Sequence, residues 1–181
     1  MLMERSQSCL VLVDVQEKLM PLVHNYKAVL GRCEWLIRLA QDVAVSVLVS
    51  EQYPKGLGQT IEPLRSLIAN CETFEKVDFS CVRSPAFKKS LESLKRKQVL
   101  LIGIESHVCV LQTALDLQQA NYDVFVVVDA VSSRSELDYL FALKRMKQVG
   151  VQLVTSEMVF FEWIGQAGTP EFKALSNAYL I

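Results

Sequence analysis

Three residues whose types cooperate in hydrolysis stand at the ends of apolar segments: Asp14, Lys76 and Cys109. A cysteine thiolate attacks carbonyl carbon, a neighbouring carboxylate can accept the thiol proton, and a lysine ammonium stabilises the resulting anions. Each residue also has an ordinary structural interpretation, as a small buried hydrophobe for Cys109, a helix cap for Asp14 and a solvent-exposed strand end for Lys76. The chemistry requires a fold that brings all three together.

The segment around the cysteine predicts a strand, a tight turn and a helix. Val99–Ile102 is a continuous apolar run, typical of a strand buried on both faces, and Gly103 interrupts it. Ser106 is the predicted N-cap of a helix whose apolar spacing begins at Val108. Cys109 then falls in the first helical turn, where free N–H groups and the helix dipole favour a thiolate and can hold an oxyanion.

Apolar runs of strand length alternate with segments of helical periodicity along the chain. The predicted strands are Cys9–Val13, Val43–Ser50, Phe74–Val77, Val99–Ile102, Asp123–Val128 and Val151–Val154. The predicted helices are Tyr26–Gln41, Pro63–Asn70, Ser84–Lys97, the segment from Val108, Ser135–Gln148, Thr155–Trp163 and Pro170–Tyr179.

This alternation predicts an α/β layered fold with a parallel sheet. Sites in such folds lie beyond the carboxyl ends of the strands, so Glu51, Glu105 and Asp129 join the three residues above as candidates. The chain has neither a GxGxxG nor a GxxxxGK[ST] motif, and no cofactor is predicted.

Composition narrows the function classes further. The 181 residues suit a single domain, residues 1–181, and the formal net charge of −1 gives no nucleic-acid footprint. The five cysteines show neither CxxC nor Cys/His ligand spacing, which disfavours a disulfide framework or structural zinc. The apolar run near the N-terminus is too short for a signal peptide, and no stretch has membrane-span length. We therefore expect a cytoplasmic protein.

Three segments resemble the motifs of the isochorismatase-like cysteine hydrolases: Leu12–Gln16, Lys76–Ser80 and Gly103–Cys109. Two more, Glu51–Gly58 and Asp129–Ser135, resemble blocks of one branch of that family, the isochorismatase domain-containing proteins. The resemblance runs from about Leu10 to Phe172, nearly the whole chain. It implies a three-layer α/β/α fold with a six-stranded parallel sheet.

The resemblance also implies a catalytic triad of Asp14, Lys76 and Cys109. In such enzymes the cysteine attacks an amide or a similar carbonyl and forms a thioester that water then cleaves. The family carries a non-proline cis peptide bond that matches Ile104–Glu105 here. It implies that the N–H groups of Glu105 and Cys109 face the oxyanion.

Two departures from related branches narrow the chemistry. The nicotinamidase branch binds a metal through histidines near the second strand, but the only histidines here are His24 and His107, and the loop Glu51–Gly58 has none. We therefore predict no metal. True isochorismatases lack the nucleophilic cysteine, so Cys109 argues against hydrolysis of isochorismate. The primary hypothesis is a cysteine hydrolase of a small carbonyl substrate, with an amide preferred. The alternatives are a non-amide hydrolase of the family and an inactive scaffold or binding protein.

The predicted pocket residues flank these motifs and are Gln16, Glu51, Tyr53, Phe79 and His107. The loop Glu51–Gly58 is expected to close over a small cavity, although an ordinary surface turn fits its composition equally well. His107 can line the pocket or simply belong to a helical turn. The aromatic segment Met158–Trp163 is expected either to meet a second copy in a homo-oligomer or to pack on the chain's own sheet.

Overall fold

A six-stranded parallel sheet forms the centre of this computed structural model, which describes residues 1–180. The strands are β1 (Ser8–Val13), β2 (Ser46–Gln52), β3 (Glu72–Lys76), β4 (Gln98–Ile104), β5 (Asp123–Ser132) and β6 (Gln152–Val154). They lie in the order β3-β2-β1-β4-β5-β6, so the strand order reverses between β1 and β4. The fold class predicted from the sequence is confirmed.

Within the part of the chain that the structure describes, eight α-helices connect and flank the strands. They are α1 (Tyr26–Asp42), α2 (Pro54–Leu57), α3 (Glu62–Arg65), α4 (Pro85–Leu94), α5 (Leu111–Gln119), α6 (Glu136–Gln148), α7 (Ser156–Ile164) and α8 (Pro170–Tyr179). Among these helices, none has both the length and the apolar character needed to cross a membrane.

Each face of the sheet has its own apolar core, because successive side chains of a strand point to opposite faces. On β1, Leu10 and Leu12 join the core built with α1 and α7. Cys9, Val11 and Val13 join the core built with α4, α5 and α6. All six residues of β1 are buried, which explains why this strand reads as a continuous apolar run. The layers on both sides of the sheet make a three-layer α/β/α architecture.

The C-terminal aromatic segment packs mainly on its own chain. Phe160 and Trp163 are buried, and the Trp163 Nε1–H donates to Ser8 Oγ at 3.0 Å. Only Met158 and Phe161 of the segment keep substantial exposure. Of the two alternatives for this segment, packing on the chain's own sheet therefore holds for Phe160 and Trp163, which the first core encloses, while Phe161 stays half exposed.

Asp129 also differs from its expected place at a strand end. The strand β5 continues to Ser132, and the Asp129 carboxylate accepts hydrogen bonds from the N–H and hydroxyl of Ser156 at 2.9 and 2.5 Å. These bonds satisfy the start of α7. Asp129 thus holds a helix in place.

Candidate active site

Three of the central strands end in residues with left-handed backbone conformation at the carboxyl edge of the sheet. Asp14 follows β1 with φ 51°, Tyr53 follows β2 with φ 37°, and Glu105 follows β4 with φ 61°. Non-glycine residues adopt positive φ rarely and at a cost in free energy, and such positions concentrate at functional sites. All three belong to the candidate set predicted from the sequence, so the backbone turns sharply where the chemistry is expected.

The ends of β1 and β4 approach each other unusually closely. Val13 and Gly103 are register partners, and a Cβ on Gly103 would lie 2.2 Å from the Val13 carbonyl oxygen. Gly103 also has φ 121°, which L side chains rarely adopt. Only glycine fits here, and its absent side chain lets Asp14 and the turn after β4 stand side by side.

The carboxylate and the lysine of the predicted site form a buried ion pair. Lys76 Nζ donates to Asp14 Oδ2 at 2.7 Å, and both side chains are almost completely excluded from solvent. The Ser50 hydroxyl donates to the other carboxylate oxygen, Oδ1, at 2.7 Å. Such a pair is stable only with its remaining hydrogen bonds satisfied.

Further acceptors surround the lysine ammonium. The Gln52 side-chain oxygen lies 2.6 Å and the Phe79 carbonyl oxygen 3.1 Å from Lys76 Nζ. Burial works against the charged form of Lys76, but the charge of Asp14, with smaller contributions from the cysteines at 81 and 109, outweighs it and raises the lysine pKa. Lys76 is therefore an ammonium at neutral pH.

Cys109 lies beside this pair in a π-helical turn, Ser106–Val110, that precedes α5. Burial is the main reason that the pKa of the Cys109 thiol is raised, and the negative charge of Asp14 adds to it. Lys76 acts in the opposite direction, and a hydrogen bond with Asp14 also favours the protonated thiol. The surroundings of Cys109 therefore disfavour the expected helix-end thiolate, because burial and the Asp14 carboxylate both raise the pKa of its thiol.

The turn before the cysteine differs from the sequence-based expectation in two respects. The Ile104–Glu105 peptide bond is trans, since the described chain contains no cis bond, and Glu105 reverses the chain through its left-handed conformation instead. Glu105, not Ser106, precedes the helical turn as its N-cap. The Ser106 hydroxyl is buried with no hydrogen-bond partner in the described chain. The expected cis peptide is therefore wrong.

Two predicted pocket residues hold the loop after β2 and do not face a cavity. Gln16 Nε2 donates to the carbonyls of Gln52 and Gly58 at 2.9 and 2.7 Å, and its side-chain oxygen accepts from the Gln52 N–H. The Glu51 carboxylate accepts from the Thr60 N–H and hydroxyl at 2.7 and 2.8 Å. Both side chains are buried. Gln16 fixes the loop Glu51–Gly58 to the end of β1, and Glu51 fixes Thr60 just beyond that loop to the end of β2.

Tyr53 and Phe79 do lie at an open surface near the ion pair. Tyr53 is half exposed and shares with Lys76 a cavity of about 360 Å³ that Val77 and Asp78 also line. The Tyr53 N–H donates to the Lys76 carbonyl, which joins the loop to the end of β3. Phe79 is half exposed. Asp14 and Cys109 do not line this cavity, so it reaches the site from the lysine side.

His107 and Glu105 form a polar group on the other side of the cysteine turn. His107 Nδ1 lies 3.0 Å from Ser133 Oγ, and its Nε2 lies 3.7 Å from a Glu105 carboxylate oxygen. The other Glu105 oxygen accepts from Arg134 Nε at 3.1 Å. His107 is thus held in place by the segment between β5 and α6. No group of three or more His, Cys, Asp or Glu side chains within residues 1–180 is arranged to hold a metal ion.

The residues that the sequence did not single out are the polar neighbours of Asp14, Lys76 and Cys109. Ser50 and Gln52 hold Asp14 and Lys76, as described above. Ser80 has a buried hydroxyl without a partner in the described chain. Cys81 is buried, and burial followed by the charge of Asp14 raises its thiol pKa to about 11. Its N–H donates to the Thr113 hydroxyl. The one sequence signal for Ser50 and Gln52 is their spacing: they are polar residues two apart near the end of β2, so both side chains point to the same face of the sheet.

Comparison with known proteins identifies the family. A family model described as "Isochorismatase domain" matches residues 8–158. The chain belongs to the isochorismatase-domain family. Isochorismatase domain-containing protein 2 of Xenopus laevis is 39% identical over 175 residues, covering 96% of this chain and 83% of that protein. Isochorismatase domain-containing protein 1 of Salmo salar is 37% identical over 91% of this chain, which spans only 58% of that protein's length.

Solved structures of this fold are also similar. A structure described as the MAR1 ribonuclease from Caenorhabditis elegans is 38% identical, with a TM-score of 0.93 over 100% of this chain and 93% of that chain. The YcaC gene product of Escherichia coli, described as an octameric hydrolase of unknown specificity, shares the fold with a TM-score of 0.88 at 22% identity, over 98% and 96% of the two chains. The family and the fold therefore agree with the resemblance found in the sequence.

Proposed function

We propose that this protein is a cysteine hydrolase that cleaves a small amide through a thioester on Cys109. The observation that carries the proposal is the buried Asp14–Lys76 ion pair, 2.7 Å between Nζ and Oδ2, with the Cys109 thiol close enough that both charges act on its pKa. A carboxylate held by a permanent cation beside a neutral thiol is the arrangement that general-base activation of a cysteine requires. Asp14, Lys76 and Cys109 are the proposed catalytic residues.

The raised pKa of Cys109 fixes the order of proton transfers in this proposal. The thiol is neutral at rest, so Asp14 takes its proton as Sγ bonds to the substrate carbonyl carbon. The oxyanion that forms is held by the N–H of Cys109 in the turn before α5; the matching role of the Glu105 N–H depended on a cis Ile104–Glu105 peptide, and that bond is trans. Asp14 then gives the proton to the departing amine as the C–N bond breaks, which leaves a thioester on Sγ.

Water completes the cycle. Asp14 removes a proton from the water that attacks the thioester, and the carboxylic acid leaves as the Cys109 thiol is reprotonated. Lys76 remains an ammonium throughout and stabilises the anionic forms of its two partners. The pocket residues Tyr53, Phe79 and His107 surround the substrate in this proposal, whereas Gln16 and Glu51 act by holding the loop.

The experiment is a screen of small amides, with intact-protein and peptide mass spectrometry to trap an acyl adduct. We expect the substrate's acyl mass on Cys109 and turnover that Cys109→Ala abolishes. Asp14→Asn should remove acylation, because the thiol then has no base. Cys71→Ala is the matched control, since Cys71 is half exposed and outside the site, and it should keep the full rate. An adduct on another residue, or turnover that survives Cys109→Ala, contradicts the proposal.

RNA belongs in the same screen because the similar C. elegans protein is described as a ribonuclease. The net charge of −1 gives this chain no overall electrostatic attraction for a phosphate backbone, so we expect no Cys109-dependent cleavage of RNA. If RNA is cleaved and amides are not, a non-amide hydrolase is the correct assignment. If no substrate is turned over and no adduct forms, the protein is an inactive scaffold.

We also propose that the protein is a homo-oligomer. The E. coli relative by fold is described as octameric, and the chain exposes large apolar side chains on several elements. Light scattering at micromolar concentration tests this, and a monomeric mass contradicts it.

A further inference from the structure

Helix α6 exposes three large apolar side chains on one face, where Lys144 also lies with its ammonium 5.8 Å from the centre of the Phe141 ring. Leu137, Leu140 and Phe141 are 65%, 52% and 61% exposed, and their spacing of three and four residues places them on one stripe. The opposite side of the helix, with Ala142 and Met146, is buried against the second core. Exposed apolar patches of this kind mark interaction surfaces on soluble proteins.

Charged residues border the stripe at both ends of the helix. Glu136 and Asp138 lie in the first turn, and Arg145 and Lys147 lie in the last. None of these four side chains forms an ion pair with any other residue in the range 1–180. The helix therefore carries unused negative charge at one end and unused positive charge at the other.

Each acid of the helix lies on the same side of the apolar stripe as one of the bases. At about 100° per residue, Glu136 and Lys147 both fall on one side of the apolar stripe, roughly 90° from Leu137. Asp138 and Arg145 fall at about the same angle on the other side. Each side of the stripe thus has one acid near the start of the helix and one base near its end.

The two pairs also share a centre. Residues 136 and 147 are equally far from the midpoint between Phe141 and Ala142, and so are residues 138 and 145. Consider a second, antiparallel copy related by a two-fold axis that lies between the two helices, perpendicular to both, at the height of that midpoint. Each acid of one copy then faces the base at the equivalent distance in the other copy. This arrangement would also place the two copies of Phe141 against each other at the centre.

We propose that two copies of this chain dock through antiparallel α6 helices, with the stripe at the centre and four intermolecular ion pairs along its sides. This proposal rests on the homo-oligomer proposed above and specifies its interface. The pairs are Glu136 with the partner's Lys147 and Asp138 with the partner's Arg145, each made twice by the symmetry. Flanking charges of this kind select the orientation of paired helices. A parallel arrangement would bring like charges together, so the same residues disfavour it.

The interface lies next to the proposed active site. Helix α6 packs on the π-helical turn that carries Cys109. Ser133 and Arg134, just before α6, contact His107 and Glu105. Docking through α6 would therefore hold in place the helix that packs on the turn carrying Cys109. We expect variants that change assembly to change turnover as well.

The test uses two variants of opposite charge and their mixture. Glu136→Lys with Asp138→Lys leaves only bases along the stripe. Arg145→Glu with Lys147→Glu puts acids at all four flanking positions, with Lys144 unchanged on the stripe itself. We expect each variant alone to show half the wild-type mass by light scattering at micromolar concentration. The equimolar mixture should recover the wild-type mass, because all four pairs are again complementary. Lys88→Glu with Lys89→Glu, on the exposed side of α4, is the matched control and should keep the wild-type mass.

The outcomes separate this proposal from the one it rests on. A monomeric wild type contradicts both. An oligomeric wild type whose α6 variants keep the full mass contradicts only the α6 interface. Variants that dissociate but do not recombine on mixing contradict the antiparallel charge pairing, and circular dichroism of each variant shows whether folding is intact.

Discussion

Gly103→Ala should cost a large part of the protein's stability, because the change places a methyl group where another strand's backbone lies. The new Cβ would sit 2.2 Å from the Val13 carbonyl oxygen and 2.7 Å from the Val13 nitrogen. The backbone at φ 121° adds strain of about 1–3 kcal/mol for a non-glycine residue. Forcing the strands apart adds a further ~1–3 kcal/mol. The expected loss is therefore about 2–6 kcal/mol, against a typical total of about 5–15 kcal/mol.

Urea unfolding measures this loss directly, and Gly31→Ala is the matched control. Gly31 lies within α1 with open space around its Cα, so an added methyl meets nothing within 4 Å. Alanine there should stabilise the protein by roughly 0.5–1 kcal/mol through helix propensity. Because Asp14 follows Val13 directly, Gly103→Ala should also reduce turnover in the molecules that remain folded. A Gly103→Ala protein within 1 kcal/mol of wild type, with normal turnover, would refute the close-approach argument.

The other predictions concern the charged and thiol groups. Lys76→Met leaves the buried Asp14 carboxylate without its ion-pair partner and should destabilise the protein by about 3–5 kcal/mol in urea unfolding. Adding Asp14→Asn should recover most of that loss. Equal instability of the single and double variants would argue against the pairing. Since the pKa of Lys76 is raised above its ordinary value of 10.5, the ion pair's contribution is fully present below pH 10.5 and is lost as the pH rises through the raised value. The stability difference between wild type and Lys76→Met should therefore be constant at neutral pH and shrink only in strong alkali, and a decline between pH 7 and 9 would contradict this. Iodoacetamide at neutral pH should label Cys71 first, because it is the only cysteine that is not buried, and faster labelling of Cys109 in the resting protein would overturn its raised pKa.

The fold could be predicted from the sequence because its strands are buried on both faces. A strand that is buried on both faces is apolar at every position, as in Leu10–Val13 and Val99–Ile102, so such runs can be recognised without knowing which strands lie beside them. Asp14, Lys76 and Cys109 could be predicted to meet because parallel strands present their carboxyl ends at one edge. The structure brings Asp14 and Lys76 into direct contact there.

The details that failed depend on tertiary surroundings that no local pattern records. The left-handed turn at Glu105 and the π-helical turn after it depend on how closely β1 and β4 approach. The protonation state of Cys109 depends on burial and on a carboxylate 95 residues away in sequence. The sequence predicts Gln16 as a pocket residue, but it does not show the three hydrogen bonds by which Gln16 holds the loop after β2.

The Asp14–Lys76 ion pair also affects how the site can diverge during evolution. Losing either partner alone leaves an unpaired charge in the interior, so a single substitution at position 14 or 76 is selected against for stability, whether or not the protein catalyses anything. Position 109 carries no such constraint, because a small buried side chain can replace a neutral thiol at modest cost. A lineage that abandons catalysis would therefore keep the pair and lose the cysteine. On the mechanism proposed above, we expect the residue at position 109 to follow retained activity among relatives more closely than the two charges beside it.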